Sequence, residues 1–135
     1  MKILVLGASG MAGHLIALYL QEQGHGVTGF ARRKISLVPS IIGDAADTRL
    51  LGETIAEGRF DAVINCVGIL NQAASRFRAR AVFLNAYLPH FLAEITGGTE
   101  TQVVHMSTDC VFSGKTGYYT ETSLRDGETF YDRSK

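Results

Sequence analysis

The chain has 135 residues, of which 46% are hydrophobic and 19% are charged, as is usual for one globular domain and not for a disordered chain. Thirteen Lys and Arg balance thirteen Asp and Glu, so no basic excess favours binding to nucleic acid or to an anionic membrane. The first apolar run, residues 3–6, is too short for a signal peptide or a membrane span.

Cysteine and histidine usage gives no sign of a metal site. Cys66 and Cys110 match neither a disulfide scaffold nor a paired metal-ligand spacing, and the four histidines share no ligand spacing. We therefore expect no metal, and a reduced, cytoplasmic setting is the simpler interpretation.

Strand and helix patterns alternate along the chain. Short apolar runs predict strands at about 3–6, 27–30, 41–42, 62–67 and 102–106. Helical patterns cover about 11–23, 48–57 and 73–96, with Asp47 as the N-cap of the second. Residues 109–130 read as a long loop, and another helix begins near Tyr131.

This order is typical of an α/β domain with a parallel sheet, and predicts a Rossmann-like, doubly wound fold. Such a fold normally has a sixth strand, which lies beyond this pattern. We expect residues 1–135 to be the NAD(P)-binding domain of a longer enzyme, truncated before the last strands and the C-terminal substrate domain.

A glycine-rich turn joins the first strand to the first helix. Gly7 permits the tight turn, Gly10 lets backbone amides approach a pyrophosphate, and Gly13 allows close packing of helix on sheet. Ser9 and Met11 lie within the same turn and are candidate cofactor contacts. The alternative is a glycine-rich turn that binds no ligand.

The end of the second strand indicates which cofactor is preferred. An acidic residue there would hold a ribose 2′-hydroxyl, whereas arginine attracts a 2′-phosphate. Arg32 and Arg33 follow the strand with no carboxylate beside them, which favours NADP(H) over NAD(H), unless the loop is merely a solvated basic one. Asp44, after the third strand, either accepts a hydrogen bond from the adenine amino group or caps its own backbone.

A possible proton-transfer pair lies at the end of the chain. Tyr131 and Lys135 stand four residues apart and share a helix face. A phenol titrates near pH 10, and a neighbouring ammonium stabilises its anion and lowers its pKa. Thr108, at the carboxyl end of the fifth strand, lies where this architecture binds ligands and offers a hydroxyl for a substrate carbonyl.

Together these residues resemble a known family. The glycine turn, Ser107–Gly114, Gly117–Glu121 and the Tyr131-xxx-Lys135 pair are similar to extended short-chain dehydrogenases/reductases. The likeness is strongest to the dTDP-4-dehydrorhamnose reductase group of sugar-nucleotide reductases. It covers the whole chain, and Val103–Gly114 is its most specific part.

The resemblance implies roles for individual residues. Tyr131 would donate a proton to a keto oxygen as hydride arrives from the nicotinamide. Lys135 would bind the nicotinamide ribose and tune Tyr131, and Thr108, in preference to Ser107, would fix the carbonyl.

A fourth catalytic position is also implied. The family places an asparagine in its fourth helix that connects through water to the lysine, and Asn85 matches it. Pro89 has no N–H, so the Asn85 carbonyl loses its helical partner and is free to hold that water, unless the proline makes only a plain kink.

The end of the fourth strand resembles the family's segment that passes the cofactor ribose. Asn65 and Gly68 are the candidate contacts there, whereas Cys66 and Val67 depart from the family's usual small residues. Cys110 stands where relatives often carry an aromatic residue. These departures concern the fit of the substrate and leave the hydride chemistry intact.

The resemblance implies an NADPH-dependent reductase of a nucleotide-sugar ketone, with no nucleic-acid or membrane partner and with a homodimer as a possible assembly. Two alternatives stay open: a non-catalytic NADP-binding regulatory subunit, and an NAD-dependent epimerase or dehydratase, which the missing acid after the second strand disfavours. Arg76 and Arg80 share a helix face that we interpret as solvated surface.

Overall fold

The computed structural model describes residues 1–135 as a five-stranded sheet with helices on both faces. The strands are β1 (Lys2–Leu6), β2 (Gly26–Ala31), β3 (Ser40–Ile42), β4 (Ala62–Asn65) and β5 (Gln102–His105). Their order is β3-β2-β1-β4-β5, and every pairing is parallel. The doubly wound fold predicted from the sequence is confirmed, with the change of winding direction between β1 and β4.

The helices are α1 (Met11–Glu22), α2 (Thr48–Gly58), α3 (Asn71–Arg76), α4 (Arg78–Ala81), α5 (Leu88–Thr96) and α6 (Phe130–Ser134). A π-helical segment, Val82–Tyr87, joins α4 to α5, and a 3-10 turn, Asp109–Val111, follows β5. The predicted cap of α2 is confirmed, because the Asp47 carboxylate accepts a hydrogen bond from the Leu50 N–H at 3.0 Å. No helix is both long enough and apolar enough to cross a bilayer.

Alternation along the central strand builds two cores. Leu4 and Leu6 of β1 pack into a cluster with side chains of α2 and α5. Ile3 and Val5 point to the other face and pack into a second cluster with α1. Because β1 is covered on both faces, its carboxyl end is held rigidly where the glycine turn begins.

The single helix predicted over 73–96 is wrong. The chain leaves helical geometry at Phe77 (φ −117°, ψ 56°), which separates α3 from α4. Further on, the Leu88 N–H donates to the Phe83 carbonyl, a π-type bond five residues back. Pro89 explains the second change, since it offers no N–H to the turn before it.

The π-helical segment changes which side chains face inward. Leu84 and Asn85 are neighbours in sequence, yet both are buried. An α-helix has 3.6 residues per turn, so the side chains of consecutive residues point in directions about 100° apart. The wider π turn accommodates Leu84 in the core and Asn85 beside the carboxyl edge of the sheet.

Close packing at the glycine turn is testable by substitution. A Cβ on Gly13 would lie 2.3 Å from the Gly7 carbonyl oxygen and 2.8 Å from its carbon, both backbone atoms that have little room to move. We expect Gly13→Ala to lower the free energy of unfolding in urea by about 1–3 kcal/mol, the usual cost of overpacking.

Gly52→Ala in α2 is the matched control, because its Cβ would meet nothing closer than the Phe91 ring at 4.0 Å. Alanine is the better helix former, so this change should leave stability equal or raise it by up to about 1 kcal/mol. Equal effects of the two substitutions would show that the α1–β1 packing is not tight.

Candidate nucleotide cleft and catalytic edge

The turn between β1 and α1 presents bare backbone to the carboxyl edge of the sheet. The Gly7 N–H donates to the Phe30 carbonyl at 2.9 Å, and the Gly10 N–H donates to the Gly7 carbonyl at 2.8 Å. Gly7 has φ +76°, the left-handed region that favours glycine. Gly10 is exposed, and the only atom near its absent Cβ is the Gly7 oxygen at 3.2 Å.

Helix α1 begins without a side-chain cap. Gly10 occupies the N-cap position, and no side chain there accepts a hydrogen bond from the first turn. The first N–H groups of a helix have no partner within it, and they carry the positive end of its dipole. This end of α1 is therefore suited to binding an anionic group.

A cleft of about 570 Å³ opens beside this turn. Its walls come from the glycine turn, the ends of β2, β3 and β4, and the segment from α3 to the π-helical segment. Six of the predicted cofactor residues line it: Gly7, Ser9, Gly10, Arg32, Asp44 and Gly68.

The other four predicted cofactor residues do not line the cleft. Met11 has an exposed side chain, so only its backbone amide is available there, and Arg33 is exposed beyond the cleft wall. Gly13 is buried against Gly7 and serves the packing of α1. Asn65 is fully buried and bonded within the protein, so its side chain has no access to a ligand.

Charged side chains meet at the end of the cleft formed by β2 and β3. Asp44 accepts a hydrogen bond from the Ala46 N–H at 3.0 Å and pairs with the Arg80 guanidinium at 2.7 Å. The Ala46 amide and the charges of Arg80 and Arg32 hold the pKa of the Asp44 carboxyl below its ordinary value, against an opposing effect of burial. Asp44 caps its own turn, as one of the two predictions had it, and it also lines the cleft, which leaves the predicted contact with an adenine amino group open.

The shared helix face predicted for Arg76 and Arg80 is wrong, although both residues are exposed as expected. The break at Phe77 lies between them, so they do not follow one helical register. The Arg76 guanidinium stacks over the Phe77 ring at 5.2 Å, whereas Arg80 reaches the cleft and Asp44. Nothing in the spacing of these arginines indicated the break.

Lys135 does not line the cleft itself but lies beside Gly68, which does. Its Nζ donates to the Met106 carbonyl at 2.7 Å, just after β5, and lies 3.7 Å from the Cβ position of Gly68. Burial lowers the pKa of Lys135, and the nearby Cys66 thiol opposes that effect. Burial also raises the pKa of the Cys66 thiol, against an opposing effect of the Lys135 charge.

The predicted catalytic residues Thr108, Tyr131 and Lys135 lie in or near the segment that follows β5, but they differ in how exposed they are. Thr108 is half-buried and begins the 3-10 turn, where its hydroxyl accepts a hydrogen bond from the Cys110 N–H at 3.3 Å. Helix α6, with Tyr131 and Lys135, packs against this turn. Tyr131 is only 7% exposed and packs with Ala74 and Ala81, and it does not line the cleft.

Asn85 links the cleft wall to α6 through its side chain. Its Oδ1 accepts from the Ile69 N–H at 2.8 Å, and its Nδ2 donates to the Ile69 carbonyl at 2.9 Å. The same Nδ2 donates to the Ser134 Oγ at 3.0 Å, and that hydroxyl donates to the Tyr131 carbonyl. Sequence reasoning directed attention to the Asn85 carbonyl, whereas the structure gives the side chain the linking contacts.

A buried pair ties β4 to β5 beneath the same edge. The Asn65 Oδ1 accepts from the Val67 N–H at 3.0 Å, so its Nδ2 is a donor and faces the His105 Nδ1 at 3.1 Å. His105 must then accept at Nδ1 and carry its proton on Nε2, which is buried without a partner. Burial, and secondarily the Lys135 charge, lower the pKa of His105.

The fold and the cleft at its switch point define the class of Rossmann-like, doubly wound α/β domains. Within that class, the chain belongs to the RmlD substrate binding domain family, whose model matches residues 1–135.

Relatives of known name agree with that family. The chain is 32% identical to the probable low-salt glycan biosynthesis reductase Agl14 of Haloferax volcanii, over 100% of this chain and 46% of the relative. It is 30% identical to the dTDP-4-dehydrorhamnose reductase of Streptomyces griseus, over 98% of this chain and 41% of the relative. The chain thus spans about half the length of the curated relatives it matches.

Solved structures agree with the fold. A hypothetical dTDP-4-dehydrorhamnose reductase from Sulfolobus tokodaii superposes with a TM-score of 0.88 at 26% identity, over 99% of this chain and 49% of that one. A UDP-glucose-4-epimerase from Stenotrophomonas maltophila with bound NAD superposes with a TM-score of 0.84 at 20% identity, over 99% and 45% of the two chains. The second likeness is one of fold alone.

The His105 environment predicts a specific pH dependence of stability. Its folded pKa lies below the ordinary 6.5, so the unfolded chain binds more protons near pH 6. The contribution of the neutral His105 ring to the free energy of unfolding is present above pH 6.5, and it is lost as the pH falls through the folded pKa. We expect the free energy of unfolding in urea to decrease between pH 7.5 and 5.0.

His105→Asn should reduce this decrease, because its Oδ1 can still accept from Asn65 and it does not titrate. His90→Asn, an exposed position on α5, should keep the wild-type pH dependence. An unchanged pH dependence in His105→Asn would contradict the assignment of the neutral, Nε2-protonated ring.

Proposed function

We propose that the chain is the cofactor-binding part of an NADPH-dependent reductase that acts on the keto group of a nucleotide sugar. The observation that carries the proposal is the uncapped N-terminus of α1, which opens on a cleft whose opposite end is lined by Gly68 beside Lys135. Relatives named as reductases of this kind support it.

The residues of the cleft fit a dinucleotide from end to end. The amides of the α1 N-terminus suit a diphosphate, because Gly10 places no side chain over them. Arg32, with Arg33 just beyond it, favours a 2′-phosphate and therefore NADP(H). Lys135, beside Gly68, is placed for the hydroxyls of the nicotinamide ribose.

Bound NADPH would supply the hydride that reduces the carbonyl carbon. The chain's own residues handle the carbonyl oxygen: Thr108 donates a hydrogen bond to it, and Tyr131 gives it a proton. Lys135 stabilises the resulting phenolate by its charge. Asn85 is a positioning residue: through its hydrogen bond to Ser134 it fixes α6, the helix that presents Tyr131 and Lys135.

A second candidate is a nucleotide-binding subunit without turnover. One observation favours it, namely that Tyr131 is buried against Ala74 and Ala81 and does not reach the cleft. A pure binding protein has no need of Thr108, Tyr131 and Lys135 together, and this is why we prefer the enzyme. A cytoplasmic location and a homodimer stay predictions.

Turnover separates these two candidates. We expect the 135-residue chain alone to bind NADP(H) weakly and to reduce no ketone. When the chain is assayed with the C-terminal half that its relatives carry, Tyr131→Phe should lower kcat for a dTDP-4-keto sugar by about 10²–10⁴-fold, the usual contribution of a general acid. NADPH affinity should change little.

Tyr119→Phe is the matched control, because that phenol lies in the loop before α6, where its ring stacks on Phe112. A Tyr131→Phe protein with the wild-type rate would remove the proton-donor assignment. Substantial ketone reduction by the 135-residue chain alone would contradict the expectation that a substrate half is required.

A further inference from the structure

Three charged side chains from three separate elements line one end of the cleft. Arg32 follows β2, Asp44 follows β3, and Arg80 belongs to α4. In a doubly wound domain the ends of the second and third strands flank the adenosine part of a dinucleotide. These charges therefore lie where an adenosine ribose would bind.

The Arg80–Asp44 pair is close but exposed. The Arg80 Nη2 lies 2.7 Å from the Asp44 Oδ2, and the two side chains are 48% and 40% exposed. Ion pairs this exposed contribute little stability, typically about 0–1 kcal/mol. A doubly charged phosphate is therefore able to compete with the carboxylate for this guanidinium.

The charges at this end do not cancel. Arg32 and Arg80 both act on the single Asp44 carboxylate, and they help to hold its pKa below the ordinary value. One of the five N–H donors of Arg80 is occupied by Asp44, so the guanidinium keeps donors for a second acceptor. Two cations and one anion leave a net positive charge facing the cleft.

We propose that Arg80 binds the 2′-phosphate of NADP(H) together with Arg32, and that Asp44 competes with this phosphate for the Arg80 guanidinium. The proposal rests on the proposed NADPH dependence and names a specificity residue on α4, far in sequence from the strand end that ordinarily decides this preference. Arg80 lines the cleft from the helix that starts directly after the break at Phe77.

Two small nucleotides isolate the 2′-phosphate contact without requiring turnover. Isothermal titration of the 135-residue chain with 2′,5′-ADP and with 5′-AMP gives the ratio of their affinities, and only the first ligand carries a 2′-phosphate. We expect the wild-type chain to prefer 2′,5′-ADP, and the preference to fall as salt is raised.

Arg80→Gln should weaken 2′,5′-ADP binding by about tenfold or more, the effect of losing a hydrogen bond between charged groups. Binding of 5′-AMP should stay within about twofold of wild type. Arg49→Gln is the matched control, because Arg49 is also exposed and paired with a carboxylate, that of Glu53, but lies on α2 outside the cleft. It should leave both affinities unchanged.

Asp44→Asn tests the competition between Asp44 and the phosphate by the same ratio. Removing the carboxylate removes a competitor for Arg80 and a repulsive charge, so the preference for 2′,5′-ADP should rise. A loss of affinity for the adenine shared by both ligands would leave the ratio unaffected, so the ratio reports the phosphate alone. A ratio that does not rise in Asp44→Asn overturns the proposed competition between Asp44 and the phosphate.

The outcomes separate this inference from the proposed function. If Arg80→Gln weakens both nucleotides equally, Arg80 contacts the shared adenosine and the inference fails. If it weakens neither while the wild type prefers 2′,5′-ADP, the inference fails and the proposed NADPH dependence stands. If the wild type shows no preference for 2′,5′-ADP, the proposed NADPH dependence fails first, and the inference fails with it.

Discussion

The contact on which the rest of the structure depends is the close approach of α1 to the end of β1, where Gly13 meets the Gly7 carbonyl. No side chain fits between them, so the helix starts directly from the edge of the sheet. Its unpaired amides are thereby aimed at the cleft and its dipole adds positive potential there. The cleft exists at this edge because the strand order changes direction between β1 and β4.

The two ends of the cleft are held by different kinds of interaction. At the end formed by β2 and β3, the exposed side chains of Arg32 and Arg80 lie near the Asp44 carboxylate, and the Arg80–Asp44 contact is exposed. At the other end, Asn85 is fully buried and uses its whole amide to join the Ile69 backbone to Ser134. A buried, fully bonded amide is rigid, which suits a group that must keep α6 in register with the cleft wall.

Local patterns were sufficient for the fold and for the glycine turn. The apolar runs of the strands, the Asp47 cap and the glycines each act within a few residues, so the sequence displays them directly. The single helix over 73–96 was wrong because the break at Phe77 has no local signal. Pro89 indicated a distortion, but periodicity does not reveal that a π turn would absorb it.

Part of the cleft lining was predictable where the family motif or a strand end fixes a residue, as at Gly10, Arg32 and Asp44. Contacts between elements distant in sequence were not predictable. Arg80 meets Asp44 across 36 residues, and Asn85 meets Ser134 across 49. The Asn65–His105 contact, which fixes a histidine tautomer, likewise arises only when β4 and β5 pair.

The most direct test of the central claim is the affinity of the chain for NADPH, followed by nucleotide fluorescence, with and without a side chain at Gly10. Gly10 has extended backbone (φ −86°, ψ 169°) that valine tolerates, and its Cβ would meet only the Gly7 oxygen at 3.2 Å, so Gly10→Val should fold with a small local shift. Covering the α1 amides should raise the Kd for NADPH by about tenfold or more. Gly26→Val at the start of β2 should not, because a Cβ there would meet only the Met1 carbonyl oxygen, at an ordinary contact distance of 3.7 Å. NADPH binding that survives Gly10→Val unchanged would contradict the claim that this turn holds the diphosphate.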